Sequence, residues 1–428
     1  MSKIAVALSG GVDSGTSAAL LLDRGCDVFG IFMRHRRQST LSEEETRNVL
    51  ATKNPRLSVF GLNSDGVLKR IEYDPNRLPF LLLVDAASAI DVANFLNVGL
   101  VLLDVDRQFE SIVDNYVDEY YAARTPNPCV LCNRTIKFGL LLNAAKQLGA
   151  DALATGHYVR KVLVGDWHDR TSSENRDVDA FFNYSATDYE STPEWLTKDV
   201  DSVFFARSAS LKDQSYFLYD VDFNALNFIE FPIGLFEKKE VRRIASEKGL
   251  PVAARKDSQE ICFVPDKGRL QFIRDLRDSD PERRKRLPND TSGPFVSLDG
   301  AIIGEHSGYE KYTVGQRKGL GMGFGERAFV QRIVPESRGV VLGPYEELGV
   351  DRSKAINSNW HADAPIERDF RCEVKVRYRN ESRFATVRIE RDGSFEAVLD
   401  APHYGVAPGQ SLVCSWRDRL LGGGRITR

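Results

Sequence analysis

The chain opens with an apolar run, a loop rich in glycine and serine, and a helix-forming segment, and this order restricts the fold more than any other feature. Residues 4–8 are continuously apolar, which is typical of a strand buried on both faces of a parallel sheet. Residues 15–24 carry alanine and leucine at helical spacing, and Gly25 follows as a C-terminal stop. Residues 26–33 form a second apolar run. Two strands joined by a helix in this way predict an α/β domain.

The loop between the first strand and the first helix, with the sequence SGGVDS, has the composition of a phosphate-binding turn. Gly10 and Gly11 permit backbone conformations that other residues avoid, so backbone N–H groups can approach a ligand. Ser9 and Ser14 add hydroxyl donors, and the N-terminus of the helix adds partial positive charge. Asp13 supplies a carboxylate of the kind that holds Mg²⁺ between phosphates. Since the loop has neither the Walker A lysine nor the three-glycine dinucleotide spacing, it predicts a different type of pyrophosphate site, with a plain tight turn as the alternative.

Hydrophobic periodicity extends the prediction along the chain. Further helices are predicted over residues 85–96, 109–123, 136–147 and 235–248, and further strands over residues 98–103 and 152–155. The polar stretch 34–80 is predicted to be an insertion that is partly helical around residues 42–53. From about residue 304, short β-like runs alternate with glycine and proline, which predicts a C-terminal all-β barrel or sandwich. These runs cover residues 329–334, 339–342, 370–378, 384–390, 395–399 and 411–415.

Length and charge limit the class of protein. A chain of 428 residues predicts two or three domains. No run of about 18 apolar residues occurs, and the first apolar run is too short for a signal peptide, so we expect a cytoplasmic protein without a membrane span. The segment 166–202 holds ten acids and three bases, and its net charge of −7 leaves +4 on the rest of a chain whose total is −3. A mildly basic body is compatible with an RNA partner. We expect the acidic segment to be an exposed loop or a hairpin tip, either plain surface decoration or a surface that docks another protein or screens nonspecific RNA.

The six cysteines are too few for a disulfide framework. Three of them lie within strand-like runs, where we expect core packing: Cys26, Cys372 and Cys414. Cys129 and Cys132 belong to a proline-fixed segment, TPNPCVLCNR, that precedes a helix and is surrounded by basic residues, features that lower a thiol pKa. Cys262, in the segment KDSQEICF, is a further thiol in a polar setting.

These motifs together resemble a known family. The SGGVDS loop after a first strand resembles the PP-loop of the N-type ATP pyrophosphatases, which split ATP between the α- and β-phosphates and adenylate an oxygen atom. Within that group, seven segments in order resemble the tRNA 2-thiouridylases. They are residues 125–138, 154–158, 212–218, 256–263, 312–323, 376–379 and 408–411. Residues 34–80 and 163–205 are the parts that do not match well.

The resemblance implies an α/β fold class in three parts. The first is a PP-loop (adenine nucleotide alpha hydrolase-like) parallel-sheet domain over residues 1–222, with insertions at about 34–80 and 163–205. A small central domain over residues 223–303 carries Cys262, and a C-terminal β-barrel covers residues 304–428. The implied activity is ATP-dependent 2-thiolation of the wobble uridine of tRNA, through adenylation of the base carbonyl and transfer of a persulfide sulfur.

The resemblance also implies the roles of individual residues and partners. Cys132 matches the nucleophile and Cys262 the carrier of the persulfide, with a transient disulfide between them. The ATP site matches Ala7, Leu8, Ser9, Gly10, Gly11, Val12, Asp13, Ser14, Met33 and Gly156. Contacts with tRNA or its target base match Asn127, Pro128, Cys129, His157, Lys212, Asp213, Gln214, Arg377, Tyr378 and Gln410. The implied partners are tRNA and a persulfide donor protein, either a cysteine desulfurase or a relay protein, and the implied cofactors are ATP and Mg²⁺, with Asp13 as the magnesium ligand.

One position departs from the family pattern, because Cys129 stands where an aspartate is usual. It is either a spectator thiol or, with Cys132 and Cys262, a ligand of a [4Fe–4S] cluster whose fourth iron binds sulfide. Structural zinc would need a fourth ligand. Two other functions remain as alternatives at this point: a PP-loop ligase or amidating enzyme, which needs no paired thiols, and a noncatalytic RNA-binding protein on the same scaffold.

Overall fold

The computed structural model describes residues 1–34, 54, 56–71, 80–167, 192–208, 210–255, 261–264, 268–320 and 328–427. The chain forms two compact units, and both are discontinuous in sequence. The first unit comprises Met1–Glu110, Cys132–Phe263 and Asp418–Leu420, and the second comprises Ser111–Leu131, Val264–Arg417 and Leu421–Arg428. The predicted bounds of three consecutive domains stay a prediction.

The first unit is built on a sheet of seven strands. Seven strands form this sheet: β1 (Lys3–Ala7), β2 (Asp27–Arg34), β3 (Leu57–Leu62), β4 (Leu68–Arg70), β5 (Gly99–Asp104), β6 (Ala152–Ala154) and β9 (Ile229–Glu230). Two further strands of the unit, β7 (Val159–Leu163) and β8 (Val203–Arg207), pair with each other outside it. The sheet has the order β4-β3-β5-β2-β1-β6-β9 and is parallel except for the edge pair β3–β4. The predicted parallel-sheet α/β domain is therefore confirmed.

The helices of this unit follow the predicted order. They are α1 (Val12–Asp23), α2 (Phe80–Phe95), the start of α3 (Asp106–Tyr121), the last residue of α4 (Pro128–Cys132), a π-helical stretch (Asn133–Leu141), α5 (Leu142–Gln147) and α6 (Lys238–Glu247). The helical run predicted over residues 136–147 begins earlier, at Pro128, because a proline is well tolerated in the first turn of a helix. Apolar residues of α1, α2 and the central strands form one buried core, which explains the apolar runs of β1 and β5.

The two poorly matching stretches contribute strands to the first unit. Within residues 34–80, β3 extends the parallel sheet beside β5, and the predicted insertion stays a prediction. The acidic segment lies in the connection between β7 and β8, which pair antiparallel, so the predicted hairpin is present. Near the ends of the segment, Trp167 and Leu196 are buried, whereas Asp166 and Asp199 are exposed. The predicted helix around residues 42–53 and the acidic residues 168–191 lie outside the described residues.

The second unit contains two β-structures and two further helices. The helices are α7 (Arg269–Ser279) and α8 (Pro281–Arg286). A small sheet has the order β11-β10-β13-β12 and consists of β10 (Gly293–Val296), β11 (Ile302–His306), β12 (Phe329–Val334) and β13 (Gly339–Gly343). Buried aromatic residues such as Phe295 and Tyr312 fill the core on this sheet.

A closed six-stranded barrel ends the chain. Its strands are β14 (Gly349–Trp360), β15 (Asp369–Lys375), β16 (Arg383–Ile389), β17 (Phe395–Tyr404), β18 (Ser411–Trp416) and β19 (Arg419–Ile426). They follow the order β14-β17-β16-β15-β18-β19, and pairing of β14 with β19 closes the barrel. The predicted C-terminal barrel is confirmed. Cys372 and Cys414 are fully buried in it, as predicted, whereas Cys26 is only partly buried against the core of the first unit.

Among the helices that the described ranges contain, none is long and apolar enough to span a membrane.

Candidate active site

The SGGVDS loop joins β1 to α1 and is held in shape by its own serines. The backbone N–H of Ser9 donates to Ser14 Oγ at 3.1 Å, and the two serine hydroxyls lie 3.1 Å apart. Ser14 Oγ also donates to the carbonyl of Gly11 at 3.2 Å. Leu8, Val12 and Ser14 are buried, while Ser9 is exposed. The loop is thus fixed from within before any ligand binds.

Two glycines of the predicted ATP site are required by close backbone approaches. Gly10 has φ +72°, and a Cβ there would lie 2.7 Å from Ser88 Cβ. Gly156 follows β6, and a Cβ there would lie 2.8 Å from the backbone nitrogen of Ser14. No side chain fits at either position without moving the loop.

The other predicted ATP residues lie along the same edge of the sheet. Ala7 ends β1, and Met33 is the penultimate residue of the neighbouring parallel strand β2. Gly156 follows β6, which lies on the other side of β1. The carboxyl ends of adjacent parallel strands are where ligands bind in open α/β sheets. The structure therefore brings the predicted ATP-binding residues together at one edge.

Asp13 does not stand alone in the first turn of α1. Its Oδ1 accepts a hydrogen bond from Tyr158 OH at 2.7 Å. The same oxygen forms an ion pair with Lys238 Nζ, at 2.6 Å. On the other side of the loop, Arg255 Nη1 donates to the carbonyl of Gly10 at 2.9 Å. Neither Lys238 nor Arg255 is predicted from the sequence, because each lies more than two hundred residues from its partner.

Cys132 ends α4 and is followed directly by the π-helical stretch. The thiol-bearing residue is half-buried. The next residue, Asn133, is buried and donates through Nδ2 to the carbonyl of Phe217 at 3.1 Å, and Arg134 pairs with Asp220 at 3.2 Å. Burial raises the pKa of Asp220, and Arg134 opposes that rise. These contacts anchor the chain on the C-terminal side of Cys132 to the segment around Phe217.

His157, a predicted tRNA contact, is a buried residue. Its Nδ1 lies 2.8 Å from Thr155 Oγ1, and its Nε2 lies 3.4 Å from Lys137 Nζ. Burial, and then the positive charge of Lys137, lower the pKa of His157 well below its usual value. The ring packs beside Phe138, with centroids 5.7 Å apart. His157 is therefore neutral at physiological pH.

The predicted tRNA-contact residues at 212–214 form a tight loop. Asp213 Oδ1 accepts from the backbone N–H of Ser208 at 2.9 Å, and its Oδ2 accepts from Ser215 Oγ at 2.8 Å. Gln214 Oε1 accepts from the backbone N–H of Tyr158 at 2.9 Å. Asp213 and Gln214 thus shape the loop that presents the half-buried Lys212.

Cys262 is exposed, unlike Cys132. The neighbouring Phe263 packs edge-to-face on Phe109, with ring centroids 5.5 Å apart. The rest of the motif before it, residues 256–260, lies outside the described residues.

The segment that leads to the cysteines belongs to the second unit, where the barrel holds it. Gln410 Nε2 donates to the carbonyls of Thr125 at 3.0 Å and Pro126 at 3.2 Å. Asn127 Nδ2 donates to Ser411 Oγ at 3.4 Å. Gln410, predicted as a tRNA contact, therefore fixes the backbone of this segment. Pro128 is buried and Cys129 is half-buried.

The two remaining predicted tRNA contacts, Arg377 and Tyr378, follow β15. Arg377 Nη2 donates to the carbonyl of Val314 at 2.6 Å. The Tyr378 ring lies under Lys375 Nζ, 5.8 Å from its centroid. Both residues are half-buried.

Within the described part of the chain, no three His, Cys, Asp or Glu side chains are grouped so that they could hold a metal ion. Asp13 offers a single carboxylate. That is sufficient for Mg²⁺, which commonly takes one or two carboxylates and completes its shell with phosphates and water.

Comparison with known proteins identifies the family. A family model described as the tRNA methyl transferase HUP domain matches residues 2–56 and 81–266. The tRNA-specific 2-thiouridylase MnmA of Rhodopirellula baltica is 37% identical over 437 residues, which cover 100% of this chain and 96% of that protein. The chain belongs to the tRNA-specific 2-thiouridylase family.

Other 2-thiouridylases match as completely. The protein of Chloroflexus aurantiacus is 35% identical and that of Lachnoclostridium phytofermentans 34%, each over 100% of this chain and at least 99% of its own length. Two more models match, the tRNA methyl transferase PRC-barrel domain over residues 284–344 and the Aminomethyltransferase beta-barrel domain over residues 350–426. The three-part architecture is thereby confirmed, and neither the cluster-dependent thiolase nor the PP-loop ligase is favoured over a 2-thiouridylase.

Proposed function

We propose that this chain catalyses the ATP-dependent 2-thiolation of the wobble uridine of tRNA. Full-length similarity to tRNA-specific 2-thiouridylases carries the proposal. The preorganised SGGVDS loop supports it, because its backbone N–H groups and the N-terminus of α1 can bind the phosphates of a nucleoside triphosphate. The proposed setting is the cytoplasm, where tRNA and ATP are both available.

The first step is adenylation of the base. A carbonyl oxygen of uracil is a poor leaving group, so the oxygen at ring position 2 attacks the α-phosphorus of ATP and pyrophosphate leaves. The backbone N–H groups of the SGGVDS loop and the N-terminus of α1 stabilise the phosphate charges. Asp13 would hold Mg²⁺, which neutralises phosphate charge when bound. The base then carries AMP, a good leaving group.

The second step transfers sulfur with both cysteines. The terminal sulfur of a Cys262 persulfide attacks the activated ring carbon and displaces AMP, which leaves the base joined to Cys262 through a disulfide. The Cys132 thiolate then attacks Cys262 Sγ and releases the thiolated base. The product disulfide between Cys132 and Cys262 is reopened by a dithiol reductant, which supplies two electrons. An exposed Cys262 is suited to receive the persulfide from a donor protein, a cysteine desulfurase or a relay protein.

We propose that the tRNA is held mainly by Lys212, Arg377 and Tyr378, with Asn127 and Pro128 next to the target base. In this assignment Asp213, Gln214 and Gln410 act by fixing the backbone that carries these groups. Proteins commonly read RNA loops by splaying a base out of its stack, and such recognition fits a wobble position.

A sulfur-transfer assay with cysteine variants tests this function. The protein is incubated with unmodified tRNA, ATP, Mg²⁺ and a persulfide source, and nucleosides are analysed by mass spectrometry. We expect 2-thiouridine from the wild type and from C26S, and none from C132S or C262S, while C132S still releases pyrophosphate from ATP. Wild-type protein that makes no 2-thiouridine contradicts the function.

The same assay decides the role of Cys129. We expect the thiolation rate of C129S to lie within about threefold of the wild-type rate. We also expect purified wild-type protein to contain no iron, since one CxxC pair is weak evidence for a cluster. Loss of thiolation in C129S together with iron in the wild type would instead establish the cluster mechanism.

A further inference from the structure

Lys238 is placed against the nucleotide loop in a way that the sequence motif does not record. Its Nζ lies 2.6 Å from Asp13 Oδ1, and its side chain is only 12% exposed. It also lies over the ring of Tyr158, 5.9 Å from the centroid. A lysine ammonium is normally kept in water, so its burial beside the loop needs a partner of opposite charge.

The helix that carries Lys238 gains nothing from it. Lys238 is the first residue of α6, and Lys239 is the second. Cations near a helix N-terminus oppose the partial positive charge there and are unfavourable. The presence of a lysine at position 238 is therefore explained by the SGGVDS loop that its ammonium faces, and not by the stability of α6.

The loop needs a cation that it does not contain. SGGVDS has no lysine, and its one charged residue, Asp13, would repel a triphosphate wherever no Mg²⁺ lies between them. Arg255 faces the loop from the other side, but its Nη1 is used on the carbonyl of Gly10. Lys238 is thus a cation that the fold places at the loop, 2.6 Å from Asp13.

We propose that Lys238 is a residue of the nucleotide site that binds the triphosphate of ATP. When ATP enters, the ammonium exchanges Asp13 Oδ1 for oxygens of the β- and γ-phosphates, and Asp13 keeps its hydrogen bond from Tyr158. Lys238 then stabilises the negative charge that builds on pyrophosphate as the bond to the α-phosphorus breaks. This inference rests on the adenylation step of the proposed function.

The test compares K238M with two matched controls. K239M removes the neighbouring, exposed lysine of the same helix turn, and Y158F removes the other hydrogen bond to Asp13. ATP affinity is measured by equilibrium dialysis without tRNA or sulfur donor, and pyrophosphate release is measured in single turnover with tRNA. We expect K238M to weaken ATP binding about tenfold and to slow pyrophosphate release about 10²–10³-fold, the effect of removing one preorganised donor. K238R should recover most of the binding, because it keeps the charge.

Two results would overturn the proposal. One is a K238M protein that binds ATP as tightly as K239M. The other is equal defects in K238M and Y158F, which would show that Lys238 only positions Asp13. Failure of the proposed function is distinguishable, because wild type and K239M would then form no 2-thiouridine whatever their ATP affinity.

Discussion

At the scale of single residues, Gly10 places the strictest demand on the nucleotide loop. It combines φ +72° with a neighbour, Ser88, that leaves no room for a Cβ. We expect G10A to lower ATP affinity at least tenfold, because the loop must move to relieve the contact and its N–H groups then leave their positions. Isothermal titration with ATP measures the change.

Gly25 provides the matched control for this prediction. Its φ is +77°, but a Cβ there would meet nothing within 4 Å. G25A therefore carries only the strain of a left-handed backbone, about 1–2 kcal/mol, and should bind ATP normally. Equal affinities of G10A and G25A would mean that the close approach to Ser88 is unimportant for the loop.

At the scale of helices and strands, the sequence predicted elements that follow a regular hydrophobic period and missed the others. β12 has the predicted bounds, and β1, β2 and β5 lie within about one residue of them. β3, with the sequence LSVFGL, was missed because it is a short apolar run inside the otherwise polar stretch 34–80. β14 and β19 were missed because their residues are partly polar or glycine-rich. Their β-structure depends on mutual pairing that closes the barrel, which a local pattern does not encode.

The candidate site shows the same division between local and distant information. The SGGVDS loop and the segments around Cys132 and Cys262 were predicted to be functional because each is a compact motif. Lys238 and Arg255 were missed because only the fold brings them to the loop. Gln410 was recognised by resemblance, but its hydrogen bonds to the backbone before the cysteines were not deducible from its position in the sequence.

The β7–β8 connection permits a sharp test of the acidic segment. Residues 168–191 carry six acids and two bases, and the buried Trp167 and Leu196 lie outside that stretch. We expect a protein in which a short glycine–serine linker replaces residues 168–191 to bind tRNA with unchanged affinity and unchanged salt dependence. The measurement is a fluorescence titration at several salt concentrations, since the slope of log affinity against log salt counts phosphate contacts.

A control shows whether the acidic segment is surface decoration or screens nonspecific RNA. The same titrations are made with an unrelated RNA of equal length. If the acidic residues screen nonspecific RNA, the shortened protein will bind the unrelated RNA more tightly, and the prediction that the segment is surface decoration is then wrong. A longer deletion over residues 166–202 is unsuitable, because it removes Trp167, whose Nε1 donates to Asp418 Oδ1 at 2.8 Å.

At the scale of the whole molecule, a short segment near the C-terminal end of the chain forms part of the first unit. Asp418–Leu420 belongs to that unit although the residues on both sides belong to the second. Within the first unit Asp418 pairs with Arg160 at 2.5 Å, and both side chains are less than 10% exposed. The Arg419 guanidinium lies 4.6 Å from the centroid of the Phe204 ring. The first unit is therefore completed only when nearly the entire chain is present.

The contribution of the buried Asp418–Arg160 pair to the free energy of unfolding can be measured. Removing one partner of a buried ion pair leaves an uncompensated charge and costs about 3–5 kcal/mol, so we expect D418A to lower the free energy of unfolding by that amount. D400A is the matched control, because Asp400 pairs with Arg371 on the surface, where both side chains are at least 44% exposed and a pair contributes only about 0–1 kcal/mol. Urea denaturation followed by tryptophan fluorescence measures both. Equal stabilities of D418A and D400A would show that the buried pair with Arg160 does not stabilise the first unit.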